Sequence, residues 1–160
     1  MPTKTVHIVR HGKAVQDCFS IRDDDRPLIE KGIVNNITNA KKLHSLYPAP
    51  ELIISSHAAR ALHTAHIFAR VTGYPLHRVQ VNENLYADGE IEMDYILKSL
   101  PDEIDSVMIV GHNPDVTLVA YHLAGSYIDP LATSGVVSIC FETDRWSEIG
   151  NAKAKHTCIT

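Results

Sequence analysis

Short apolar runs alternate along this chain with longer segments whose apolar residues recur at helical spacing. Thr5-Val6-His7-Ile8-Val9 reads as a buried strand, and the segment from Leu28 to about Leu46 follows with Ile33, Ile37, Ala40 and Leu43 near a period of 3.6. Pro27 suits the first turn of that helix, and Gly32 is its one weak point. Glu51 to Ser55 forms a second strand, with Ser56 placed to cap a helix carrying Ala61, Leu62, Ala65 and Phe68. The alternation continues with a short strand at Val79-Gln80-Val81, a helix from Glu90 to Leu100, a strand from Ser106 to Val110 and a helix from Pro114 to Ala124. Val136 to Phe141 and Arg145 to Ile149 read as a closing hairpin around Thr143-Asp144. Strand and helix in alternation predict an α/β sandwich with a largely parallel sheet and an antiparallel edge.

Bulk properties narrow the class. The 160 residues, 44% of them hydrophobic, fit a single domain spanning 1–160, large enough to bury a core without disulfides or structural metal. A formal charge of -4 offers no broad positive field, so neither nucleic acid nor an anionic membrane is expected as the main partner. Cys18, Cys140 and Cys158 form an odd set without Cys-x-x-Cys spacing, as in a reduced, cytoplasmic protein. The first strand follows Met1-Pro2-Thr3-Lys4 directly, which leaves no room for a signal peptide, and no apolar stretch has the length of a bilayer span.

Arg10-His11-Gly12 ends the first strand and Gly111-His112-Asn113-Pro114 ends the strand at Val110, while Arg60 follows the Ser55-Ser56 strand end. In open α/β sheets ligands gather beyond the carboxyl ends of strands, so these residues are expected to share one site. Their chemistry suits phosphate: an imidazole can attack phosphorus, a guanidinium fork can hold two phosphoryl oxygens, and a glycine lets backbone approach closely. Asn113 as a cap and Pro114 at the first helical position would turn a helix N-terminus toward the same crevice. Arg26 has two readings of equal weight, as a phosphate ligand or as a partner of Asp23, Asp24 or Asp25.

The ordered motifs resemble the histidine phosphatase superfamily, and within it the small SixA-type phosphohistidine phosphatases. Arg10-His11-Gly12-Lys13-Ala14 resembles the nucleophile motif. Asp25-Arg26-Pro27-Leu28 with Glu30-Lys31-Gly32 resembles the segment that follows it. Ser55-Ser56 with Arg60-Ala61 and Thr64-Ala65 resembles the second arginine motif, and Gly111-His112-Asn113-Pro114 the second histidine motif. Ser134-Gly135 and Trp146 complete the set. The resemblance implies a phosphoglycerate mutase-like, three-layer α/β/α sandwich and a phosphatase without metal or other cofactor. In that reading His11 is the nucleophile, and Arg10, Gly12, Arg26, Arg60 and His112 surround the phosphoryl group. The second arginine motif usually opens Ser-Pro, and here Ser56 replaces the proline and His57 follows.

Relatives that hydrolyse phosphate esters often carry a glutamate as proton donor two residues beyond a leucine, and the equivalent after Leu85 is Ala87. Glu83 and Asp88 are the nearby candidates for an acid, with Glu90 a further one. A phosphohistidine imidazole protonated on its second nitrogen can leave neutral, so a missing acid favours a phosphoramidate over an ester. The partner expected is therefore a phosphohistidine-bearing protein, a phosphorelay domain being one candidate. The alternatives are a phosphatase of a small phosphoester or phosphoanhydride, and a module that binds phosphate without turnover. His63 and His66, three residues apart on one helix, lack a third ligand of suitable spacing and are read as ordinary helix residues.

Overall fold

The computed structural model describes residues 2–160. Six strands form one mixed sheet: β1 (Lys4–Arg10), β2 (Leu52–Ser55), β3 (Gln80–Val81), β4 (Ser106–Gly111), β5 (Val136–Phe141) and β6 (Ala154–Ile159), in the spatial order β3-β2-β4-β1-β5-β6. The first four run parallel, whereas β5 pairs antiparallel with β1, and β6 with β5. Five helices cover the sheet: α1 (Glu30–Leu46), α2 (Ala59–Thr72), α3 (Asn84–Ala87), α4 (Gly89–Ser99) and α5 (Asp115–Ala124).

The central strands are apolar at successive positions because both faces are buried. Val6 and Ile8 of β1, Val107 and Ile109 of β4, and Val137 and Ile139 of β5 pack with Leu85, Met93 and Leu97 of α3 and α4 and with Val116 and Val119 of α5. The alternate residues Val9, Ile53, Met108 and Val110 face Ala40 and Leu43 of α1 and Ala61, Ala65 and Phe68 of α2. The resulting three layers are those of an α/β/α sandwich, as the residue pattern predicts.

Four local expectations need correction. Pro27 does not open α1: its carbonyl accepts the Val15 N–H at 2.8 Å, Leu28 bridges antiparallel to Ala14, and the helix begins at Glu30. Ser56 does not cap α2, which starts at Ala59. Asn113 does not cap α5; its side chain instead joins Thr117 and the Leu131 carbonyl, and the helix starts at Asp115 after a cis Asn113-Pro114 bond. The closing hairpin pairs β5 with β6, not with Arg145 to Ile149. Trp146 is buried on a short 3-10 turn, donating Nε1–H to the Ile104 carbonyl at 2.7 Å, and this tertiary anchor withdraws its segment from the sheet. The edge strand β6 is mostly exposed and therefore lacks the apolar pattern that marks buried strands.

Candidate active site

β1 and β4 lie side by side in parallel register, with Arg10 opposite Gly111, so His11 and His112 emerge together at their carboxyl ends. The two rings stand 5.1 Å apart between centroids. Arg60 enters from the first turn of α2, after β2, and its Nε reaches His11 Nε2 at 3.3 Å. The three motifs, far apart in the chain, thus meet at one point.

The hydrogen bonds of His11 define its tautomer. Nδ1 lies 2.7 Å from the Gly12 carbonyl oxygen, which only accepts, so Nδ1 carries the proton and Nε2 presents its lone pair. Burial drives the His11 pKa down to about 4; the bond to the Gly12 carbonyl opposes this, and the charges of Arg60, Arg10 and Arg26 reinforce it. His11 is consequently neutral at physiological pH, the state an attacking imidazole needs. His112 is buried as well, and desolvation together with the neighbouring His11 and Arg60 lowers its pKa to about 3. Its Nε2 shares a 2.9 Å hydrogen bond with Ser56 Oγ.

The backbone around His11 is tied on several sides. Ser134 N–H donates to the His11 carbonyl at 3.1 Å, and Arg10 N–H donates to the Gly135 carbonyl at 3.0 Å. The Gly12 N–H donates to Thr64 Oγ1, which also accepts from Asn36 Nδ2, both at 2.9 Å. A Cβ on Gly12 would lie 2.7 Å from Asn36 Nδ2 and 3.0 Å from the Gly32 carbonyl. Close packing against α1 therefore accounts for this glycine, and its N–H is spent on Thr64.

Asp23 stands at the centre of the charged network. Its carboxylate accepts from Arg26 Nε at 3.1 Å and Nη2 at 2.9 Å, from Arg60 Nη2 at 3.1 Å, and from the Tyr86 hydroxyl, while its carbonyl accepts from Arg60 Nη1 at 2.6 Å. The Tyr86 bond, with Arg26 and Arg60, holds the Asp23 carboxyl well below the usual carboxylate range against the opposing effect of burial. Of the two sequence readings of Arg26 the pairing with Asp23 is the one seen, and its Nη1 donates to the Val15 carbonyl at 2.6 Å. Arg10 donates Nη1–H to the Leu131 carbonyl at 2.9 Å. Arg10 Nε and His112 Nδ1 are buried with no hydrogen-bond partner among the described residues. Three guanidiniums and one carboxylate leave two net positive charges, which match a phosphoryl dianion.

The candidate acids lie elsewhere. Glu83 and Asp88 are exposed at the two ends of α3, and neither bonds to His11, Arg60 or His112. Tyr86, on the same short helix, packs edge-on against His112 with centroids 5.4 Å apart. Sequence reasoning missed Asp23, Tyr86 and Thr64 as site residues. The Asp23-Asp24-Asp25 run signalled charge, but nothing in it distinguished the carboxylate that meets Arg60 and Tyr86. Among the described residues no group of three His, Cys, Asp or Glu side chains is arranged to hold a metal ion.

A neutral imidazole whose Nε2 lone pair faces the Arg60 guanidinium, set among fixed cationic donors at the carboxyl edge of a parallel sheet, suits phosphoryl chemistry. The sequence model of the histidine phosphatase superfamily (branch 1) matches residues 6–95, and the chain belongs to that superfamily. An uncharacterized chloroplastic protein of Arabidopsis thaliana is 32% identical over 129 residues, 76% of this chain and 59% of the relative, so the chain spans under two thirds of that relative's length. The protein histidine phosphatase SixA complexed with tungstate superposes with a TM-score of 0.81 at 24% identity, covering 98% of this chain and 96% of that one. A protein designated SixA from Nakamurella multipartitia gives a TM-score of 0.79 at 21% identity, covering 100% and 97%. The fold is that of these solved structures.

Proposed function

We propose that the protein removes phosphate from phosphohistidine on a partner protein, through a phosphorylated His11 intermediate. The observation that carries this reading is the convergence of Arg10, Arg60 and His112 on a neutral His11 whose unprotonated Nε2 accepts only a 3.3 Å hydrogen bond from Arg60 Nε, with Arg10 Nε and His112 Nδ1 unpartnered. In the first step His11 Nε2 bonds to phosphorus in line as the bond to the leaving nitrogen breaks. In the second, water displaces His11 and releases phosphate. Charge on the equatorial oxygens is met by the guanidiniums, with Arg60 oriented by Asp23.

The substrate class rests on the leaving group. Neither Glu83 nor Asp88 reaches His11, and a phosphohistidine imidazole already protonated on its other nitrogen departs without one. A phosphorelay domain is the partner class that presents such a side chain, and the three free cysteines suit a reducing, cytoplasmic setting.

The test is phosphate release from a histidine-phosphorylated protein, measured with a metal chelator present, for the native chain and His11→Ala. Chelator-resistant release that the substitution abolishes is the expected result. Release that survives in His11→Ala refutes the nucleophile. No release, with turnover of a small phosphoester instead, transfers the substrate to that class.

A further inference from the structure

Outside the cluster already described, one histidine has the hydrogen bonding of a proton carrier. His57 Nε2 lies 3.1 Å from Asp24 Oδ2, and the carboxylate accepts, so Nε2 carries a proton. Hydrogen bonding to His57 in turn holds the Asp24 carboxyl below its usual range. The opposite ring nitrogen, Nδ1, is buried without a partner among the described residues, although the side chain as a whole is 31% exposed. An imidazole fixed on one nitrogen by a carboxylate and open on the other is the arrangement of a general acid and base.

His57 lies beside the phosphoryl site, close enough that its charge is among those that lower the His112 pKa. His57 follows Ser56, the partner of His112, and precedes Arg60 by three residues. Its ring meets the Tyr86 ring edge-on with centroids 5.1 Å apart, and the other side of that relay is the 5.4 Å contact of Tyr86 with His112. Asp24 adjoins Asp23, so one short turn anchors both Arg60 and His57.

We propose that His57, oriented by Asp24, is a catalytic residue that carries the proton for both halves of the reaction. This rests on the transfer to His11 described above. In the first step the bond from His11 Nε2 to phosphorus forms, the bond from phosphorus to the leaving atom breaks with its electron pair on that atom, and a His57 protonated on both nitrogens gives that atom its Nδ1 proton and becomes neutral. In the second, His57 Nδ1 takes a proton from water as the water oxygen bonds to phosphorus and the His11 Nε2 bond breaks, leaving phosphate and neutral His11. With this group in place the site also accommodates substrates whose leaving atom arrives unprotonated, such as the oxygen of an aryl phosphate.

Leaving groups of different basicity test it. Rapid-quench single turnovers with radiolabelled phenyl phosphate and p-nitrophenyl phosphate measure formation of phosphorylated His11 in the native chain, His57→Gln and Asp24→Asn. A lost proton donor slows transfer from phenyl phosphate, whose leaving phenolate needs the proton, by about 100-fold, while transfer from p-nitrophenyl phosphate stays within about threefold. Asp24→Asn is expected to show the same asymmetry to a smaller degree. Equal slowing of both substrates, or no slowing of either, refutes the role of His57 while leaving the His11 transfer intact. A native chain that never labels His11 with either aryl phosphate refutes the role of His57 as donor to an unprotonated leaving atom, while release from a histidine-phosphorylated protein still decides the His11 transfer.

Discussion

If His11 is held neutral by its surroundings, its titration must lie far from that of an ordinary imidazole. The structure puts the midpoint at about 4, against 6.5 for a free side chain, with burial the largest cause and the Arg60 charge, 3.3 Å away, among the others. At pH 6 a group with that midpoint is roughly 99% neutral, whereas an unperturbed one is only about a quarter neutral. The perturbation is therefore pH itself, followed by Arg60→Gln, which removes one charge and leaves the burial largely in place. NMR of the histidine ring nitrogens as a function of pH reads both the midpoint and the tautomer. His11 should hold its proton on Nδ1 and begin to titrate only near pH 4, and in Arg60→Gln the midpoint should rise part of the way toward 6.5. A native midpoint near 6.5, or a proton resident on Nε2, would refute the reasoning from burial and from the Gly12 carbonyl. The same displacement has a stability consequence. His7, His11 and His112 all have folded pKa values lowered by burial, to about 4, 4 and 3. As pH falls below 6.5 the unfolded chain takes up protons that the folded chain refuses, so stability declines between about pH 6.5 and 4.

Two further substitutions test the supports of the site. Asp23→Asn keeps the shape but removes the charge shared by Arg26 and Arg60; with the Asp23 side chain 42% exposed, the expected loss is only about 1 kcal/mol, or a fall of roughly 2–4 °C in Tm at pH 7. Because the carboxyl is depressed in the folded state, its contribution is full above the ordinary carboxylate pKa of about 4 and shrinks as pH drops below it, so calorimetry should show the two proteins converging in acid; an identical Tm at pH 7 would contradict the network. Gly32→Ala places a Cβ 2.2 Å from the Lys13 carbonyl oxygen, a backbone atom that cannot swing aside. A destabilisation of about 3 kcal/mol is expected from this overpacking, and an unchanged urea midpoint would show that the loop after Gly12 yields freely.

The sequence carried the architecture because period and burial are local signals. Apolar runs such as Val107 to Val110 need both faces covered, and helices such as α2 show one stripe of small and apolar residues at 3.6-residue spacing, so the order of elements can be read without knowing what they touch. Arg10, His11, Arg60 and His112 were legible for the same reason: three sit where a strand stops and Arg60 in the first turn of the helix that follows one, and parallel strands stop at one edge of the sheet. Tertiary contacts decided the rest. Arg145 to Ile149 follows the Thr143-Asp144 turn where a returning strand is expected, yet burial of Trp146 against the Ile104 carbonyl holds it out of the sheet, and the exposed residues of β6 take the place at the edge. Asp23, Asp24 and Asp25 are chemically equivalent in the sequence. Only folding brings the first against Arg60 and Tyr86 and the second against His57, because a carboxylate acquires a function from the donors that surround it, and these three donors lie more than thirty residues further along the chain.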